Sequence, residues 1–252
     1  MTAPAPAMAR RAVTRRLPRA GLDGGDLSVR AWLLPAAGTA GGLVFTGGYL
    51  AGGATRAGDR TLAQPVSALS LGPGGWVQQL NFIVFGVLAC LPAAGWRAAP
   101  APGRGALAFP VLRVIAGAGL VMDGLCAQDP SGGYPPGPRA GMPTAHGQLH
   151  TLFAMITITA LATGCSGRAR RFAAEPGWRR RAVVAVAAGV AAIVFIAASG
   201  AAAGHGGLAG LRERAAGAAT SVLTVAVLAR LAVTSRPAAR ARRPGPAAGE
   251  VA

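Results

Sequence analysis

The chain holds three histidines, and two of them, His146 and His150, stand four residues apart. On a helix that spacing puts both imidazoles on one face. An HxxxH pair is half of a metal site, because zinc accepts imidazole and carboxylate and a catalytic zinc keeps one position open for water. Asp123, Asp129 and His205 are the groups that complete such a set if the chain brings them together. The simpler role for the pair is hydrogen bonding to loop carbonyls, Asp129 or water, and that role is preferred. No metal is assigned and no cofactor is expected, zinc being the alternative. Asp123 stands near the end of an apolar run, where a charge is costly unless paired or wet. It suits a polar cavity shared with His150, a cap on a neighbouring helix, or a proton or cation site. Arg113 is ten residues earlier, about 15 Å along a helix, so it is expected to reach toward the inner headgroups rather than toward Asp123.

These residues need elements to position them, and the composition says what kind. The chain has 252 residues, 52% hydrophobic and only 13% charged. A soluble chain needs a more polar surface, and the recurring apolar runs point to a bilayer as solvent. The fold expected is all-α, a transmembrane bundle of six spans. They run about Ala31 to Ala54, Gln79 to Trp96, Ala106 to Cys126, His146 to Cys165, Ala182 to Ala203 and Ala215 to Thr234. Each is close to the ~20 residues that cross ~30 Å of hydrocarbon. The domain reading is a disordered basic cytoplasmic tail over 1–30, a six-helix membrane domain over 31–234 and a second basic tail over 235–252. Arg10-Arg11 and Arg15-Arg16 resemble the start of a twin-arginine signal, but Pro18, Gly21, Asp23, Gly24 and Asp26 stand where its apolar stretch belongs.

The formal charge is +17, and every basic residue is arginine. Arg10, Arg11, Arg15, Arg16, Arg19 and Arg30 precede the first span. Arg97 and Arg104 follow the second, and Arg168, Arg170, Arg171, Arg179, Arg180 and Arg181 follow the fourth. Arg236, Arg240, Arg242 and Arg243 follow the sixth. The alternate loops hold Arg56, Arg60, Arg139, Arg212 and Arg214. The positive-inside rule then places both termini in the cytoplasm and the protein in the plasma (inner) membrane. Arginines in tails and between apolar runs, with few aromatics beside them, favour anionic headgroups as partners over nucleic acid. Cys90, Cys126 and Cys165 are widely spaced without a CxxC and are expected as buried thiols.

Small residues offer packing surfaces. Gly38 and Gly42, Gly48 and Gly52, and Gly200 and Gly204 are GxxxG steps, which permit close helix approach; in so Gly-rich a chain they specify neither a contact nor an oligomer. The two long outward segments are more distinctive. In Thr55 to Gln78, Trp76 suits an interfacial anchor, and Asn81 just beyond suits a bond to a neighbouring helix. In Asp123 to His150, Asp129-Pro130 favours a turn and Thr144 an N-cap.

The stretch ALSLGPGGWVQQLNFIVFG from Ala68 to Gly86, with DGLCAQDPSGGYPPG and TAHGQLH within Asp123 to His150, resembles the bacterial DUF998 membrane proteins. The resemblance covers about Ala31 to Thr234 and implies a six-helix integral membrane protein. It supplies no chemistry, the family being defined without an assigned function. Cys126-Ala127-Gln128 ahead of Asp129 departs from the more aromatic or apolar pattern of relatives. Three functions are left to compare. The preferred one is non-enzymatic, a membrane module that binds or senses lipid or assists a partner protein. The others are a small transporter with Asp123 as proton or cation site, and a metal-dependent outer-leaflet lipid hydrolase using His146 and His150.

Overall fold

The computed structural model describes residues 24–98, 107–131, 133–137, 142–173, 179–202 and 207–221. Five helices follow in order: α1 (Gly24–Thr55), α2 (Gly75–Ala98), α3 (Ala108–Leu125), α4 (Ala145–Ala173) and α5 (Arg179–Ala202), with a 3-10 helix at Val66–Ser70. Residues 209–221 form a further helix, α6. Among the described residues there is no strand, only an isolated bridge between Ser131 and Tyr134. The regular structure of the described residues is therefore helical.

Helices adjacent in sequence are adjacent in space, α1 on α2, α2 on α3, α3 on α4 and α4 on α5. Within the described residues, Gly75–Ala94 and Ala108–Leu125 are long and apolar enough to cross a membrane, and Ala182–Ala198 is a shorter apolar helix. Helix α1 is described from Gly24, so helix already extends ahead of the expected start at Ala31. α6 begins before Ala215 and carries Arg212, Glu213 and Arg214, which the hydropathy pattern assigned to a loop.

Large apolar side chains face outward on several helices while some polar ones are buried. Leu43, Val84, Val87, Val111, Val183 and Val190 are exposed, whereas Gln64, Gln78, Arg113, Asp123 and His150 are buried. Apolar outward faces with polar groups turned inward fit hydrocarbon as surroundings.

Glycine sets the closest helix contact. A Cβ on Gly117 of α3 would lie 2.6 Å from the Gly86 carbonyl oxygen of α2, and one on Gly124 would lie 2.6 Å from the Gln79 carbonyl oxygen. Gly117 and Gly124 are seven residues apart and so face α2 together. Of the expected GxxxG steps, Gly48 lets Asn81 approach α1, while Gly38 and Gly42 line an interior cavity. Gly204 lies outside the described residues. A core of Tyr49, Val66, Leu69, Phe82, Ala89 and Leu120, flanked by Phe45 and Phe85, joins α1, α2 and α3 beneath the 3-10 helix.

The segment between α1 and α2 is an ordered cap. All five residues of the 3-10 helix are buried. Arg56 donates to the carbonyls of Leu69, Leu71 and Gly74, gathering the turn that leads into α2. Gln64 accepts from the Arg60 amide at 2.8 Å. The cap joins the segment between α3 and α4 through the Ser67 hydroxyl, which donates to Gln128 Oε1 at 2.5 Å. Gly58 packs so near Pro136 that a Cβ there would lie 2.6 Å from its ring.

Candidate functional site

Beneath this cap lies a cavity of about 140 Å³ whose walls come from the cap and all six helices. Phe45, Phe82, Phe85, Leu120, Ile158 and Leu161 make much of it apolar. Asp123, His150, Arg113, Glu213 and Arg214 also line it. Five ionisable side chains on a mostly apolar wall are costly to bury and need a physical account.

His150 has one. Its Nδ1 lies 2.7 Å from the Cys126 carbonyl and 3.2 Å from that of Asp123. Carbonyls only accept, so Nδ1 carries the proton and the neutral ring presents Nε2 as an acceptor. The last carbonyls of a helix lack partners within it, and His150 supplies α3 with one from α4. Its ring stands edge-on to Phe82, with centroids 6.2 Å apart.

Asp123 is less well served. It is only 3% exposed, and Oδ1 has no hydrogen-bond partner. His150 Nδ1 is 3.9 Å away, but its proton is directed to the Cys126 carbonyl.

Arg113 corrects an expectation. It is buried on the cavity wall instead of reaching to the inner headgroups, and its Nε donates to the Ala89 carbonyl at 3.2 Å. Pro92, which has no N–H to give, leaves the neighbouring Leu88 carbonyl without its i+4 donor. A polar acceptor at this depth makes an inward guanidinium tolerable.

Glu213 and Arg214 were missed as site residues. Glu213 Oε2 accepts from the Val66 amide at 2.9 Å. Arg214 Nη1 donates to the carbonyls of Thr61, Gln64 and Gly210. Its guanidinium carbon stands 5.8 Å from the centre of the Tyr49 ring, a cation–π contact. Nε and Nη2 of the same group are buried without a hydrogen-bond partner. A signal for this pair exists in sequence: Glu213, Ala216, Gly217 and Thr220 fall at i, i+3, i+4 and i+7, a small and polar helix face.

The other candidates separate from the cavity. Asp129 accepts from the Thr144 amide at 3.0 Å and the Thr144 hydroxyl at 2.7 Å. These bonds hold its carboxyl below the usual aspartate value. Thr144 in turn accepts from the Gly147 amide at 3.1 Å, capping α4. Asp129 is thus a clasp at the start of α4. His146 is exposed on the first turn of α4, so the HxxxH pair does not converge on the cavity. His205 lies outside the described residues. Among the described residues no three His, Cys, Asp or Glu side chains gather as a metal-holding group. Trp76 is 65% exposed at the start of α2. Asn81 donates to the Phe45 carbonyl of α1 at 3.0 Å. Cys126 is a buried free thiol and Cys90 a partly buried one.

The arrangement offers a hydrophobic compartment with acceptors from Asp123, Glu213 and His150 and donors from Arg214. It suits binding an amphiphile or moving a proton. No curated protein and no solved structure matches the chain. The family model for "Protein of unknown function (DUF998)" matches residues 39–230, about three quarters of the sequence, and the chain belongs to that family.

Proposed function

We propose that the protein is a multi-pass protein of the bacterial inner membrane, with six spans and both termini in the cytoplasm, that binds a lipid-like amphiphile in its interior cavity. The observation that carries this reading is the cavity itself, which is walled by every described helix, mostly apolar and polar at a few points. Ligand sites have that character. The apolar outward faces support immersion in a bilayer, and the arginine-rich inner segments support the orientation and a contact with anionic headgroups.

The test is retention of amphiphile by the full-length protein after stringent delipidation, read by mass spectrometry of the intact complex. Ala154 lines the cavity, and Ala154→Trp fills it. Wild type is expected to keep a bound amphiphile that the variant loses. Equal retention by both would place the lipid on the outer surface and remove the proposal's basis.

A second reading, proton- or cation-coupled transport through Asp123, is favoured by one observation: the partnerless carboxyl oxygen 3.9 Å from an imidazole, in a cavity that Glu213 also lines. It predicts that Asp123→Asn abolishes ion movement in proteoliposomes. Unchanged flux would refute it. The hydrolase reading gains no such observation, because His146 stands away from the cavity.

A further inference from the structure

Two of the residues that line the cavity carry unmet hydrogen-bonding demands of opposite sign. Asp123 Oδ1 is a buried acceptor with no donor, and Arg214 Nε and Nη2 are buried donors with no acceptor. Native proteins rarely leave such groups unmatched, and each exception asks for a bound molecule or a functional reason. The Arg214 pair is informative by its geometry. Nη1 is committed to three backbone carbonyls, which fixes the guanidinium plane. Nε and Nη2 then form its side edge, the edge that takes a carboxylate or phosphate through two parallel bonds.

Other lining residues bring the reverse chemistry. Asp123 offers Oδ1, Glu213 keeps one oxygen on the Val66 amide, and His150 has committed its Nδ1 proton to the Cys126 carbonyl. These are acceptors, and an ammonium group has three N–H donors for them. We infer that the cavity holds a zwitterionic group, its anionic end on the side edge of Arg214 and its ammonium end on Asp123. This rests on the cavity-binding reading above and names the head that the cavity selects. The size agrees. A cavity of about 140 Å³ resembles one that holds benzene, with room for roughly six to eight non-hydrogen atoms. That accommodates an aminoethyl phosphate and leaves any acyl chains in the surrounding hydrocarbon. The group belongs either to a lipid headgroup or to a free small zwitterion.

Binding of three probes to the detergent-solubilised full chain separates the possibilities: short-chain phosphatidylethanolamine, short-chain phosphatidic acid and free phosphoethanolamine. Wild type is expected to bind the ethanolamine lipid at least tenfold more tightly than the phosphatidic acid. Asp123→Asn, which keeps the side-chain shape, is expected to erase that preference and leave phosphatidic acid binding unchanged. Arg214→Gln is expected to weaken both lipids. Phosphoethanolamine binding as well as the lipid would keep the zwitterion site and assign it to a soluble molecule, against the lipid reading. Equal binding of both lipids, with no effect of Asp123→Asn, would overturn the zwitterion inference while the cavity reading stands. Binding of none of the three would overturn both. Should Asp123→Asn fail to fold, the wild-type preference decides alone.

Discussion

Gly117→Ala should loosen the α2–α3 pair. The added Cβ would sit 2.6 Å from the Gly86 carbonyl oxygen and also against the Cys90 sulfur. The sulfur can turn aside, but the carbonyl belongs to a helix backbone and cannot. The helices must part by roughly 0.5–1 Å to restore normal contact, a gap that forfeits a quarter to a half of the dispersion well for the atoms around it. Overpacking of this kind costs about 1–3 kcal/mol. Replacing a helical glycine returns up to about 1 kcal/mol in water, so the net loss expected is about 0–2 kcal/mol, and the deficit against a glycine with open space around it is the full cost of about 1–3 kcal/mol. Gly47→Ala is the control, since nothing lies within 4 Å of a Cβ there. Both variants would be unfolded by titrating dodecyl sulfate into mild detergent, with helicity followed by circular dichroism. If Gly117→Ala were no less stable than Gly47→Ala, the close approach of α2 and α3 at this point would be wrong.

Other outcomes follow from the cap and the site. Arg56→Met removes donors from three carbonyls and should cost about 2–3 kcal/mol, read as faster proteolysis of residues 57–74; Arg56→Lys should recover little, because a point charge does not reproduce the guanidinium fork. His150→Ala should cost about 2–4 kcal/mol by opening space and stripping the donor from the end of α3, whereas exposed His146 should tolerate alanine within about 0.5 kcal/mol in the same melt. The Asp129 carboxyl is held below its ordinary value by the Thr144 bonds, so the unfolded chain takes up its proton first as pH falls. The clasp therefore contributes fully above the ordinary value of 3.8 and is lost as pH drops through the lowered one. Hydrogen exchange at the Gly147 amide should accelerate on that acid limb, and Asp129→Asn should remove the dependence.

Hydropathy found the helices well where apolar runs are unbroken. The expected Ala106 to Cys126 and the observed Ala108–Leu125 nearly coincide, as do Ala182 to Ala203 and Arg179–Ala202. It failed at the start of α6, because averaging treats Arg212, Glu213 and Arg214 as a polar break. The partners of Glu213 and Arg214 lie about 150 residues away in sequence, the Val66 amide and the Thr61 and Gln64 carbonyls, and no local window contains those. Arg113 was misjudged for a related reason: its acceptor is on another helix, beside Pro92. The Asp123–His150 neighbourhood was legible, since the apolar run around Asp123 and the short distance along the chain confine both to one end of adjacent helices. That His146 would diverge from it was not, because i, i+4 spacing places two side chains on one face without fixing how far either reaches toward the interior. The search for GxxxG also passed over Gly117 and Gly124, whose seven-residue spacing is the one that meets α2.

The cap's dependence on α6 has a consequence for the order of events during synthesis. The Thr61–Val66 stretch is made early, yet its backbone partners are on Arg214, Glu213 and the amide of Leu211, which donates to the Leu62 carbonyl at 2.9 Å. Contacts so distant in sequence form late. Until α6 is made, this stretch lacks those partners and the compartment beneath lacks the wall that α6 supplies. A chain stalled before α6 therefore leaves the Asp123 carboxyl and the aromatic wall without the cover that α6 supplies.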